Sequence, residues 1–402
     1  MAKKKIDTKK SNSSTAQNAV GVRLESINFS EFLGESLEWI LPEVSLGQIN
    51  LIVGKNSSGK SRLLSVIAGL ANMLTGKNPR VYLNGNYHAI FSKGSLTYTY
   101  SIDISDGKVT KEKLIRDDDV LLDRGTRGIG KIWAEKISQF LDFETPSDQL
   151  AAKARRDTIQ HPFFEDLHNW AGLLRHYEFG TSLGRDRLLM VTDVLSSPVK
   201  TNDFRDAADV IRLYNQAFAE HGKLFDDRIL TDLRLLGYDC TDVGSEVADS
   251  SIVKMENGPP LVWLFVQERG LKAKTGQLQM SQGMFRAVSL VIHLNYCVLQ
   301  KLPRTLLIDD IGEGLDFSRA KVFIALLIKH SEANGLQLIM TSNDRFVMNG
   351  VPLEYWGVMT RTKSKVSLLN IRNSPKVFED FKDLGLNNFD FFSTEFFEGG
   401  LQ

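Results

Sequence analysis

The eight residues Gly54-Lys-Asn-Ser-Ser-Gly-Lys-Ser61 constrain this chain more than any other stretch. They satisfy GxxxxGK[ST] at every required position, and an apolar run, Gln48-Ile-Asn-Leu-Ile-Val53, leads directly into them. Behind them, Leu63, Leu64, Val66, Ile67, Leu70 and Leu74 recur at the helical period, so the glycine-rich stretch joins a buried strand to a helix. That context is what the motif requires in order to hold phosphate. Glycines let the main chain wrap closely around phosphate oxygens, while the amides and the helix N-terminus supply positive potential. Gly54, Lys55, Asn56, Ser57, Ser58 and Gly59 form the expected cradle for a nucleotide, with Arg62 just behind it. Lys60 is expected to reach the β- and γ-phosphate oxygens, and the Ser61 hydroxyl to bind magnesium.

Kinases, GTPases and motors share such a loop, so the downstream elements decide among them. Thr305-Leu-Leu-Ile-Asp-Asp310 is an apolar strand ending in two carboxylates, which is how a metal ligand is set beside a phosphate loop at the carboxyl edge of a parallel sheet. Asp309 is expected to hold the metal, directly or through water. Asp310 stands where a general base or a water-positioning carboxylate is needed. The plainer alternative is two solvent-exposed aspartates ending a strand. Helices predicted from Ser281 to Leu299 and Ser318 to His330, and strands at Leu261 to Val266 and Leu336 to Met340, complete a recurring strand, helix, strand order. This order argues for an α/β fold with buried parallel strands.

Residues 1–19 are lysine, serine, threonine, asparagine and glutamine with almost no large apolar side chains, a polar tail that cannot offset the entropy of ordering. Strand-like alternation begins at Val20 and returns in short strands over residues 80–104, whereas residues 110–250 read as charged, mostly helical segments, Asp203 to His221 among them. With Lys+Arg and Asp+Glu equal at 49 each, no global field draws the chain to nucleic acid. No apolar run approaches the roughly 18 residues of a membrane span, and the start lacks the apolar core of a secretory signal, so a cytoplasmic protein without a membrane partner is expected. Cys240 and Cys297 lack CxxC spacing, and His161, His168 and His176 lack the spacing of metal ligands; both sets read as structural.

Met280-Ser-Gln-Gly-Met284 with Arg286 resembles a degenerate LSGGQ signature, and Gly54-Lys-Asn-Ser-Ser resembles the phosphate loop of ABC-type ATPases of the SMC and RecF-like branch. Within that branch the motifs and their order are most similar to single-chain AAA/ABC ATPases related to the OLD family of prokaryotes, including those of defence modules. The resemblance implies a P-loop NTPase head: a central, mostly parallel sheet flanked by helices, an antiparallel β subdomain, and an inserted, mainly helical lobe. The head would comprise residues 20–105 and 258–402, with the insert at about 106–257. It implies ATP hydrolysis with magnesium by a homodimer or higher homo-oligomer, in which Ser281, Gln282 and Gly283 contact the γ-phosphate bound by the opposite subunit. Asp316, in Glu313-Gly-Leu-Asp316, falls at the D-loop that lines the dimer interface.

Two departures from the family pattern bear on turnover. Asp310 replaces the catalytic glutamate and is one methylene shorter, and Asn343 replaces the switch histidine, which can exchange a proton as asparagine cannot. Gln160 is the candidate for the glutamine that completes the metal site, with an ordinary polar residue at a helix start as the other reading. These residues leave an ATP-driven switch acting on a separate effector protein as the leading expectation, with a nucleotide-gated scaffold of little turnover and a transporter subunit as rivals. Arg155, Arg156, Arg361, Lys363 and Lys365 read either as a DNA-contacting surface or as solvated faces. The closing run of phenylalanines, Phe378, Phe381, Phe389, Phe391, Phe392, Phe396 and Phe397, reads as a packed cap or a docking segment.

Overall fold

A computed structural model of the protein describes residues 21–192, 209–249, 252–253, 259–301 and 304–399. The polar tail expected over 1–19 and the first residues of the helix expected from Asp203 lie outside them.

Strands β1 (Arg23–Glu31), β2 (Trp39–Ser45) and β3 (Ile49–Val53) lead into α1 (Lys60–Thr75). All five residues of β3 are buried, as befits a strand covered on both faces. An antiparallel meander follows: β4 (Gly85–Lys93), β5 (Leu96–Ser105), β6 (Lys108–Arg116), β7 (Asp119–Arg124), β8 (Ile129–Ala134) and β9 (Gln139–Glu144). The short α2 (Ala151–Ala154) and α3 (Phe163–Leu173) return the chain to β10 (Arg175–Glu178). Then come β11 (Leu189–Met190), α4 (Val210–His221), α5 (Lys223–Leu235), β12 (Cys240–Val247), β13 (Leu261–Glu268) and β14 (Thr275–Gly276). The chain continues through α6 (Gln282–Gln300), β15 (Thr305–Asp309), α7 (Phe317–Asn334), β16 (Gln337–Ser342) and α8 (Arg345–Gly350). It closes with the hairpin β17 (Trp356–Thr362) and β18 (Lys365–Asn370), then α9 (Pro375–Lys382) and α10 (Asn388–Ser393).

The main sheet runs β10-β15-β16-β3-β17-β18-β2-β1-β4-β5-β6-β7-β8-β9. From β10 to β17 every pair is parallel, and from β2 onward every pair is antiparallel. Strands β11, β13, β12 and β14 form a second, small sheet. Two cores result. One gathers α1, α3 and the meander around Leu63, Ile67, Phe91 and Trp170; the other gathers α4 to α7 and the C-terminal helices around Phe285, Val288, Phe323 and Phe391. Phe378, Phe381, Phe391, Phe396 and Phe397 are buried in this second core, so the phenylalanine-rich end is a packed cap.

The stretch 106–257, expected as a mainly helical insert, begins instead with β6 to β9, which extend the antiparallel sheet, and contributes β10 to the parallel core. Its helices α4 and α5 pack on α6. Strands β6 and β7 carry charge on the inward face as well as on the outward one. Glu112 and Arg124 are fully buried and paired at 3.0 Å, and the Glu112 carboxylate also accepts from Tyr100 Oη and from the amides of Ala151 and Ala152. A buried carboxylate survives there because every lone pair is used.

Candidate functional site

The phosphate loop leaves β3 at the carboxyl edge of the parallel strands. Gly54 is fixed by space: a Cβ there would lie 2.4 Å from the Met359 carbonyl oxygen and 2.7 Å from Ser58 Oγ. Gly59 turns the chain into α1 at φ 107°, a left-handed value that glycine adopts without strain. No side chain caps α1, which leaves its first-turn amides for a ligand, and the buried Ser58 hydroxyl has no hydrogen-bond partner. Both features suit an anion at this helix start. Lys60 is buried, and its ammonium donates to the carbonyls of Gly54 at 2.8 Å and Lys55 at 3.2 Å, curling over the loop it serves. Burial pushes the Lys60 pKa down, while Asp310 and Asp309 push it up.

Strand β16 lies between β3 and β15, pairing Ser342 with Val53 on one side and Met340 with Ile308 on the other. The carboxylate pair therefore stands two strand spacings, roughly 10 Å, from the strand that feeds the loop. Residues at the end of β16 reach both sides of this gap. Thr341 Oγ1 donates to Asp309 Oδ1 and accepts from the Asp310 amide at 2.9 Å. Asp310 is half-buried; burial first, then Asp309, raises its pKa, Lys60 lowers it, and Glu313 raises it further. Asn343 Nδ2 donates to Asn56 Oδ1 of the loop at 2.7 Å. Ser61 and Arg62 are exposed on the first turn of α1, with Arg62 stacked over Trp39 at 4.5 Å and paired with Glu31. Lys55 pairs with Glu395 of the C-terminal cap, which raises the Lys55 pKa.

The signature segment is built separately. Ser281 caps α6 by accepting from the Met284 amide at 3.2 Å, and a Cβ on Gly283 would lie 2.1 Å from the Gly314 carbonyl oxygen, so this segment rests on the turn after Asp310. Arg286 fastens the two by donating to the Glu313 carbonyl at 2.6 Å. Asp316 caps α7, and its hydrogen bonds from Ser318 and the Arg319 amide lower its pKa to about 2. Ser281 and Gln282 are exposed, and among the described residues no hydrogen bond or ion pair joins Ser281–Gly283 to the phosphate loop.

Gln160 lies elsewhere. Its amide donates to Asp157 and its carbonyl accepts from Glu135 beside β8, and the structure does not bring it to the carboxylate pair. The strand that flanks Asp309 is β10, which pairs Glu178 with Asp309 in register and places His176 one pleat back, 3.9 Å from Glu178. A four-residue strand among charged side chains carries too little periodicity to be found by pattern. The basic residues form no single surface: Arg156 is paired with Glu165, Arg155 lies over Phe143, and Arg361, Lys363 and Lys365 sit in the β17–β18 hairpin.

Ser61, Asp309 and Asp310 offer only oxygen donors, the set that suits magnesium held by one or two carboxylates and substrate phosphates. A cavity of about 370 Å³ lies beside the loop between Lys55, Ser58, Arg361 and Phe392. A larger cleft, about 720 Å³, opens at the opposite edge near Gln48, Arg304 and Gln337. Ligands of open parallel sheets bind at the carboxyl ends of the strands, which makes the loop edge the candidate site. No helix among the described residues is long and apolar enough to cross a membrane.

Comparison with known proteins agrees with this geometry. The profile of one family, described as AAA domain, putative AbiEii toxin, Type IV TA system, matches residues 49–349. A search of curated proteins gave no match. Among solved structures, an Smc head bound to the C-winged helix domain of ScpA is 11% identical with a TM-score of 0.51, covering 88% of this chain and 99% of that one. An Smc head domain with an extended coiled coil, bound to the C-terminal domain of ScpA derived from Pyrococcus furiosus, is 12% identical with a TM-score of 0.47, covering 90% and 100%. At such identity the first likeness is one of fold: a mixed α/β ATPase head with a large sheet.

Proposed function

The chain belongs to this AAA-domain family, and from that premise we propose that it is a magnesium-dependent ATPase that works as a nucleotide switch. The observation that carries the reading is that the phosphate loop and the Asp309–Asp310 strand, two motifs some 250 residues apart in sequence, stand at one carboxyl edge with only β16 between them, and Asn343 at the end of β16 bonds to Asn56 of the loop. The loop amides and Lys60 bind the triphosphate; Ser61 and Asp309 would hold magnesium, which when bound supplies neutralising charge. Asp310 orients a water for attack on the γ-phosphorus and takes its proton, as the bond to the bridging oxygen breaks and ADP leaves. Asn343, bonded to Asn56, senses the γ-phosphate without exchanging a proton.

Ser281 and Gln282, exposed and, among the described residues, not bonded to their own phosphate loop, fit a second subunit that closes over the nucleotide, so ATP joins two heads and hydrolysis parts them. Asp316 would face that junction. The family's description names a toxin of a TA system and the Smc heads carry ScpA domains, which supports a separate protein partner as the output, in keeping with a defence-related role. A DNA-related process is the alternative output, and a scaffold with little turnover is favoured by one feature, the burial that raises the Asp310 pKa. Steady-state phosphate release by wild type and Lys60→Ala tests the reading: release in the wild type and none in the variant is expected, whereas equal release from both defeats it.

A further inference from the structure

We infer that Thr341 is a positioning residue for the Asp309–Asp310 pair, an inference that rests on the ATPase reading above. One residue of the intervening strand holds three consecutive residues of the next. Its hydroxyl donates to Asp309 Oδ1 and accepts from the Asp310 amide at 2.9 Å, and its carbonyl accepts from the Ile311 amide at 2.9 Å. Thr341 is fully buried, so no water competes for these bonds.

The corner it holds is a strained one. Asp310 has φ 53°, in the left-handed region that residues other than glycine adopt only at a cost. Such a conformation persists when its surroundings fix it, and here the Asp310 amide is turned onto Thr341 Oγ1. The same hydroxyl, by donating to Asp309, leaves that carboxylate one preferred orientation. A single hydroxyl, using its one donor and one of its acceptor sites, thus sets the direction of both carboxylates relative to Lys60. Valine would fill the same space and keep the strand, yet leave both groups without their partner. Serine would keep the hydroxyl and lose a methyl.

The test compares Thr341→Val and Thr341→Ser with wild type and Lys60→Ala, with thermal midpoints recorded for each. A fluorescent ATP analogue is titrated without metal and then against magnesium chloride, and phosphate release is measured in parallel. For Thr341→Val, nucleotide affinity without metal should stay within about twofold of wild type. The magnesium concentration for half-maximal tightening should rise about tenfold and kcat should fall about 10- to 100-fold with KM nearly unchanged, the cost of a misplaced group. Thr341→Ser should recover both to within about threefold. Wild-type magnesium dependence and kcat in Thr341→Val overturn the inference, as does a Thr341→Ser as impaired as the valine variant, which would assign Thr341 to packing. If Lys60→Ala binds and turns over ATP like wild type, the ATPase reading falls first and takes this inference with it.

Discussion

The carboxyl edge of the parallel sheet and the antiparallel meander are both parts of one fourteen-stranded sheet, yet they stand differently toward the sequence. At the edge each functional group is placed by the few residues around it: β3 feeds a loop in which Gly54 has no room for a Cβ and Gly59 holds a left-handed φ, and β15 ends in its carboxylates. In the meander each strand pairs with its neighbour in sequence, and what the sequence pattern does not declare is which of its charges turn inward. Glu112 faces inward only because Arg124, Tyr100 and the start of α2 arrive to receive it. The loop and the carboxylate pair carry function and tolerate little, whereas the buried charge pair of the meander carries stability.

Variants at the two places should therefore fail in opposite ways. Lys60→Ala should weaken ATP binding about 100-fold, the worth of two charge-assisted hydrogen bonds at roughly 1.5 kcal/mol each, with its thermal midpoint nearly unchanged. Glu112→Ala should do the reverse: it strands a buried guanidinium and should cost about 3–5 kcal/mol in denaturant titration while the surviving folded protein binds ATP normally. If Glu112→Ala impaired binding as severely as stability, the separation between scaffold and site would be lost.

The contrast also explains what pattern alone could reach. The phosphate loop, the carboxylate strand, the start of α6 at Ser281 and the parallel core were legible because each is written in a short window. Their nearness follows from what the motifs require, but that β16 inserts between β3 and β15 is a register no single segment declares. Thr341 escaped notice for the same reason: in sequence it is one more residue of a buried strand. Glu178 was hidden by the shortness of β10, and the strands β6 to β9 by their alternating charges. Gln160 is bonded to Glu135 beside β8, whereas the position beside Asp309 is filled from β10.

Smaller effects sharpen the picture. Because burial and neighbouring carboxylates raise the Asp310 pKa, the ionised form needed for turnover is lost at a higher pH than for an ordinary aspartate as pH falls. The acidic limb of the kcat profile should accordingly lie above that of an ordinary aspartate, and Glu313→Gln, which removes one like charge, should move it down. A limb at the ordinary aspartate value would contradict that assignment. The smallest effect belongs to Glu395→Gln. It frees Lys55 from an exposed pair at a residue of left-handed backbone, φ 54°, and should tighten ATP binding by about twofold in low salt, a gain erased at high salt.

The central claim is that the loop and the carboxylate strand serve one metal–triphosphate ligand. A double-substitution cycle on Ser61→Ala and Asp309→Asn, reading the magnesium-dependent gain in ATP affinity by calorimetry, tests it most directly. The account predicts that the double variant loses little more of that gain than the worse single variant. Losses that simply add would show two residues acting on independent sites, and would contradict it.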